Sequence, residues 1–339
     1  MKIGDTTASY LQYLIQTAEK LGANPEQLIK DAGLDPKLLE DEDERIDLTY
    51  LMRIGFNAIK ATGRSDLGLV AGRSSSITRF GYAGLAAMTA PTLGEALQVI
   101  TRYEDLFGRC YRGNSQLIIE GNDTTLCFYS IAPYNDYTYF VVDAILSGWC
   151  NSIRWLTGHD NLVTSAHIEF PTPDYFESYG QSMSCPVHFN QEQNCLRLPT
   201  STLSTPLIHH NATLHASLLE QCGFAVGRVA LADSFHNKVL KVLGTMLHGK
   251  TPSIEDVAQQ LGMPTWTLRR KLKEEDTSYQ TLVDEMRKDV AFSYMRNTDL
   301  SFGEISYLLG FSTPGAFQRA FKRWAGTTPG EFRKSLLAD

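Results

Sequence analysis

Trp266, Arg269, Arg270 and Lys273 recur three and four residues apart. At about 100° per residue, that spacing puts all four on one face of a helix. Guanidinium groups donate in pairs to guanine edges or to phosphates, and an indole packs on a thymine methyl. The chemistry on offer is therefore DNA contact, with Thr265 at the start of the same helix as a further candidate. A second set follows in Gln318, Arg319, Lys322 and Arg323, within a stretch from Phe311 to Gly330 that holds no acidic residue. Thr313 precedes it, where a hydroxyl caps a helix or meets a phosphate. Either set alone fits a solvated basic face. The recurrence favours nucleic acid.

Two similar segments must position these sets. The first runs Ile254-Glu-Asp-Val-Ala-Gln-Gln-Leu-Gly262 and on to Leu272; the second runs Phe302-Gly-Glu-Ile-Ser-Tyr-Leu-Leu-Gly310 and on to Phe321. Each reads as a short amphipathic helix, a glycine-containing turn and a second helix. That is the helix-turn-helix pattern, whose second helix enters the major groove of double-stranded DNA. Ala258 lets the two helices cross closely, Gly262 ends the first, and Pro264 suits the start of the next. Leu268 and Leu272 form the apolar face of the first reader; Phe317, Phe321 and Trp324 form that of the second. Between the units, Tyr279 to Asn297 reads as one helix with Leu282, Met286, Val290 and Met295 as its apolar stripe. A rigid connector would hold the two readers one DNA turn apart, about 34 Å.

This half resembles the AraC/XylS family of transcription regulators over about residues 236–337. The most specific stretch is Gly310-Phe-Ser-Thr-Pro-Gly-Ala-Phe-Gln-Arg-Ala-Phe-Lys-Arg-Trp-Ala-Gly-Thr-Thr-Pro-Gly-Glu-Phe-Arg333. The resemblance implies that Trp266, Arg269 and Arg270 fall where the first recognition helix touches bases or nearby phosphates. It puts Arg319 at the matching position of the second. Pro314-Gly315 departs from the family, which often has polar base-contacting residues there. The second helix is therefore expected to lean on Gln318, Arg319 and the phosphate backbone.

The charge is uneven. Residues 236–339 hold 15 Lys and Arg against 12 Asp and Glu; the rest of the chain holds 16 against 26, for a total of −7. Cations concentrate on the two reader faces, while the acidic half should repel DNA and limit phosphate-driven non-specific binding. Six cysteines lie outside the DNA-reading half with irregular gaps and no Cys-x-x-Cys. With no signal-peptide pattern, they read as reduced thiols of a cytoplasmic protein. No apolar run approaches the roughly 18 residues that span a membrane, and Asp143 interrupts the most hydrophobic segment.

The N-terminal half reads as an α+β domain over 1–205, followed by a partly helical linker region over 206–235 and an all-α DNA-binding domain over 236–339. The two helix-turn-helix units fall at about 254–274 and 302–325. Residues 1–108 look mainly helical, with helices after Pro25, over Leu48 to Ala61 and after Thr92. Gln116–Glu120 and Thr125–Ile131 read as a hairpin around Gly121-Asn122-Asp123. Tyr137 to Leu156 reads as a long helix. Ala166–Phe170, Val187–Phe189 and Cys195–Leu198 read as strands.

Arg45-Ile46, Asp66-Leu-Gly-Leu-Val-Ala-Gly72 and Phe80-Gly-Tyr-Ala-Gly-Leu-Ala-Ala-Met-Thr-Ala-Pro-Thr-Leu-Gly-Glu-Ala-Leu97 resemble the arabinose-binding-like domain of one AraC-family branch, over about 20–205. That implies sensing of a small-molecule effector of unknown class, with a homodimer as a further arrangement and RNA polymerase as a partner in activation. Tyr82, Arg102, Tyr103, Tyr129, Tyr139, Trp149 and Arg154 are candidates for the effector pocket, since pockets combine apolar walls with few polar anchors. The same aromatics at helical spacing also suit a core, and either arginine suits a surface ion pair.

Enzymatic chemistry is not expected. Cys185-Pro-Val-His188 with Cys195 lacks the tight paired spacing of a zinc site. No phosphate-binding glycine loop or nucleophile elbow is present, and no metal or cofactor is expected. The sequence therefore reads as a ligand-responsive transcription factor, an activator. The alternative is an effector-independent regulator whose N-terminal half only dimerises or binds a protein partner.

Overall fold

Proline, glycine and capping side chains delimit the helices in this computed structural model of the chain. It describes residues 4–110, 113–131, 134, 138–231, 235–246, 251–297 and 300–336. The chain divides into one unit built on residues 5–109 and 114–229 and another built on the residues from 230 onward.

The larger unit begins with β1 (Gly4–Thr7), α1 (Ala8–Lys20), α2 (Pro25–Ala32), β2 (Arg45–Asp47), α3 (Leu48–Thr62) and α4 (Leu67–Ser74). Asn24 caps α2 by accepting from the Gln27 N–H, Pro25 opens it, and Gly33 ends it in the left-handed region. Next come α5 (Gly81–Thr89), α6 (Leu93–Arg102), β3 (Gly108–Cys110), β4 (Gln116–Glu120), β5 (Asp123–Phe128) and α7 (Tyr139–Thr157). The unit closes with β6 (Ser165–His167), α8 (Tyr179–Met183), β7 (Val187–His188), β8 (Asn194–Pro199) and α9 (Ala212–Leu231).

A three-stranded sheet has the order β2-β1-β3, and a five-stranded sheet has the order β4-β5-β8-β6-β7. Period-2 alternation sends Leu126, Phe128, Leu196 and Leu198 into a core shared with Leu146, Trp149 and Ile153 of α7. A second core joins α1, α2, α3 and α4 around Leu11, Leu28, Ile54 and Leu67.

The Asp66–Gly72 segment has a packing role. A Cβ on Gly72 would stand 1.8 Å from Ser147 Oγ and 2.5 Å from the Ala144 carbonyl; one on Gly68 would stand 2.3 Å from the Phe140 carbonyl. The two glycines let α4 lie directly on α7.

Three expectations change. The hairpin turn is Gly121-Asn122, with Gly121 at φ 60°, so β5 starts at Asp123 and not at Thr125. β1, β2 and β3 lie in a region read as helical. Three- or four-residue strands carry too little alternation to show. Residues 206–231 include all of α9, and Leu218 and Cys222 are buried in the larger unit's core. Tyr137 and residues 232–234 lie outside the described residues. All six cysteines are free thiols.

The smaller unit is helical: α10 (Phe235–Met246), α11 (Ile254–Gln260), α12 (Thr265–Glu274), α13 (Tyr279–Asn297), α14 (Phe302–Leu308), α15 (Pro314–Ala325) and α16 (Pro329–Leu336). Ser253 and Asp256 form a reciprocal capping box on α11, and Ser301 and Glu304 form another on α14. One core holds Leu240, Val257, Leu268, Leu272 and Leu282; a second holds Met295, Ile305, Leu309, Phe317 and Phe321. α13 supplies both.

Arg287 of α13 donates to the Leu309 and Gly310 carbonyls at 2.8 and 2.7 Å and to Thr251 Oγ1 at 2.5 Å. Its guanidinium lies over the Phe311 ring at 4.4 Å. One side chain thus satisfies carbonyls at the end of α14 that the helix itself leaves open.

Candidate functional site

In the first helix-turn-helix, Gly262 takes φ 64° and releases the chain from α11 into α12. Leu268 and Leu272 are buried, which turns the opposite face of α12 to water. Trp266 is 66% exposed, and Arg269, Arg270 and Lys273 are exposed beside it; Thr265 is half-buried. A tryptophan this exposed leaves most of its large apolar area open to water. Arg270 has an i,i+4 neighbour in Glu274 at 3.5 Å, with both side chains open to solvent. Such a pair is worth little and yields readily to a phosphate.

In the second, Thr313 caps α15 by accepting from the Ala316 N–H at 3.2 Å, and Pro314 takes the first turn. Phe317 and Phe321 are fully buried, and Gln318, Arg319 and Lys322 are exposed. Gly315 has the Arg319 guanidinium 3.6 Å from where a Cβ would stand. A side chain at 315 would therefore meet Arg319 in ordinary contact. Arg323 differs. Its Nη2 donates to both oxygens of Asp284 on α13, at 3.0 and 2.7 Å, and Trp324 Nε1 donates to the same carboxylate at 3.3 Å. Arg323 ties the reader to the connecting helix.

Of the seven effector candidates, Tyr103, Tyr129, Tyr139 and Trp149 belong to one core cluster, and Tyr82, Arg102 and Arg154 do not. Tyr82 and Arg102 are exposed on α5 and α6, with Arg102 over the buried Tyr103 ring. Trp149 packs edge-on against Phe128 inside the core, and Tyr129 lies against that same Phe128. Arg154 pairs with Asp160 at 2.6 Å and donates to Ser184 Oγ at 2.7 Å.

Tyr139 alone joins a polar aromatic cluster that sequence reasoning missed. It stacks near Tyr134 and packs on Phe170. Glu169 accepts from Ser130 Oγ at 2.7 Å, from the Tyr134 hydroxyl and from Asn194 Nδ2 at 3.2 Å. On α7, Asp143 is fully buried and accepts from Tyr175 at 2.8 Å and Tyr179 at 2.5 Å. Burial pushes its carboxyl up to about 7, with the nearby Asp66 adding to the rise and the two phenols opposing it. Its one signal in the sequence was an acid inside an otherwise apolar helix.

Two helix-turn-helix units with outward basic faces, beside a separate mixed α and β unit, define a DNA-binding transcription regulator. The family model described as the arabinose-binding domain of AraC transcription regulators, N-terminal, matches residues 22–207, and a helix-turn-helix domain model matches residues 257–335. The chain belongs to the AraC family of transcription regulators and is not an enzyme. It is 24% identical over 327 residues to the ornithine utilization regulator of Pseudomonas aeruginosa, covering 96% of each chain. It is 27% identical over 307 residues to the regulator VqsM of the same organism, covering 89% of this chain and 92% of that one. The crystal structure of CdpR from Pseudomonas aeruginosa aligns over 91% of this chain and 96% of that one, with 22% identity and a TM-score of 0.44. Among the described residues no helix is long and apolar enough to cross a membrane.

Proposed function

We propose that this chain is a ligand-responsive activator that reads a specific DNA site through α12 and α15. Trp266, Arg269, Arg270 and Lys273 form the first reading face; Gln318, Arg319 and Lys322 form the second, with Thr265 and Thr313 at the helix starts. The observation that carries this is the exposed indole among cations on α12, opposite two buried leucines. Bound DNA would cover the indole and neutralise the cations.

The larger unit is the effector sensor. A relative named for ornithine utilization matches along almost the whole chain, which supports a metabolite-responsive role. Effector binding shifts the population of the DNA-competent arrangement through differential affinity for the two states. Activation by contact with RNA polymerase is the mode the family resemblance implies, and a DNA-reading regulator works in the cytoplasm. The test is DNA affinity and transcription in vitro with the full chain, with and without a metabolite that raises its melting temperature. A change of roughly fivefold or more in DNA affinity is expected, the usual size of such coupling. A bound metabolite that changes neither reading overturns the sensor role.

One observation favours a homodimer as well. Ile208, Leu214 and Phe224 are exposed on and just before α9, apolar area of the kind that partners cover. Light scattering of the full chain tests it: twice the monomer mass in the native chain, and the monomer mass in Phe224→Asp.

A further inference from the structure

Among the described residues three acids of the larger unit are buried, Asp5, Asp66 and Asp143, and two of them have arginine beside them: Asp5 lies between Arg45 and Arg109, and Asp66 pairs with Arg64. Asp143 does not, and neither does the half-buried Glu169. Among the described residues neither forms an ion pair, and their partners are phenols, a serine hydroxyl and an amide. A carboxylate held away from water without a countercharge is unfavourable unless something compensates it.

One run of rings joins the two acids. Tyr134 and Tyr139 are stacked with centroids 6.4 Å apart, and Tyr139 lies 4.6 Å from Phe170. Phe170 reaches Phe189 at 6.2 Å, Phe189 meets Tyr179 edge-on at 5.2 Å, and Tyr179 stacks on Tyr175 at 6.0 Å. The hydroxyl at one end holds Glu169 and those at the other hold Asp143. Tyr134, Tyr139, Tyr175, Phe189 and Glu169 are half-buried, so the run is open to water at several points. Aromatic faces carry partial negative charge and attract cations, as carboxylates do. Both features select the same ligand charge; an anion meets repulsion from both.

We infer that this aromatic and carboxylate cluster is the effector site, and that its ligand is a small organic cation bearing an amine. The inference rests on the ligand-responsive reading above. Among the described residues Asp143 faces Tyr175, Tyr179 and the carboxylate of Asp66, just before α4, and no cation. Below neutral pH it holds a proton, which an incoming ammonium must displace. Amine affinity therefore rises with pH up to about 7 and levels off above it.

The test is thermal shift and calorimetric titration of the full chain with putrescine and L-ornithine, and with succinate and glucose as controls. At least one amine should give a saturable shift at pH 8, and neither control should. Glu169→Gln and Asp143→Asn should each weaken that amine roughly tenfold, the scale of a lost hydrogen bond to a charged group. Asp143→Asn should also remove the pH dependence. If Asp143→Asn does not fold, Glu169→Gln still decides the matter from a half-buried position. No shift with any amine overturns the inference, as does an amine whose affinity neither variant changes. A shift with succinate or glucose alone overturns the amine class and leaves the ligand-responsive reading standing. An amine that binds as expected but leaves DNA affinity unchanged overturns that reading and leaves the site standing.

Discussion

Three exposed arginines and lysines that look alike in the sequence have different surroundings, and the difference predicts different losses. Arg270→Ala should cost about 1–3 kcal/mol of DNA binding and relax specificity if the side chain reads a base. Competition between specific and random DNA checks this, and unchanged binding removes Arg270 from the reading face. Lys322→Ala should lower the slope of log affinity against log salt by about one and leave specificity intact. Arg323→Ala should lower the melting temperature with the salt slope unchanged, because its partner is Asp284. A flatter slope in that variant would return Arg323 to the DNA face.

Asp143 makes a prediction with a definite sign. Its folded value of about 7 lies above the ordinary carboxylate value of 3.8, so the native state keeps a proton that the unfolded chain releases. This group's contribution is greatest below pH 4, falls as pH rises to 7 at up to about 1.4 kcal/mol per unit, and is flat beyond. Asp5 acts the other way: burial alone would raise it, but Arg109 and Arg45 hold it below the usual range. Its contribution is present above that range and lost as the pH drops through its lowered value. Denaturant unfolding from pH 4.5 to 7.5 should therefore show a decline that Asp143→Asn flattens. An equal decline in the variant would contradict it.

Among the elements, those with a long period were legible. Apolar spacing gave the helix after Thr92 and the connector at Tyr279, because helical periodicity over ten or more residues stands out from noise, while Pro25 and Gly33 marked the shorter α2. The hairpin was visible from Gly121-Asn122. What stayed hidden was tertiary. The amine site draws on residues between 130 and 194 that only the fold brings together, and each of its aromatics alone reads as core. Arg323 is exposed as the sequence suggests, but only the fold shows that α13 places Asp284 against it. The glycines of Asp66–Gly72 could be read as a pattern, but their cause is the carbonyls of α7. Gly72→Ala should consequently destabilise the larger unit by about 1–3 kcal/mol, the usual penalty of overpacking. Thermal unfolding checks it, and a melting temperature equal to the native chain's would refute the close crossing of α4 and α7.

At the scale of the molecule, one chain carries an acidic mixed α and β unit and a basic helix-turn-helix unit. The overall charge of −7 would suggest a poor DNA ligand, yet the local field at α12 and α15 decides contact with phosphate. Two unlike recognition helices in one chain need no palindrome. On the proposed reading they would need two major-groove segments at a fixed spacing, set by α13, whose side chains serve both cores.

The most direct test is a hydroxyl-radical footprint of the full chain on a site selected from random DNA, repeated with Arg270→Ala and Arg319→Ala. Two protected segments one helical turn apart, about 34 Å, are expected, with each variant weakening a different one. A single protected segment, weakened alike by both variants, would contradict a two-reader regulator.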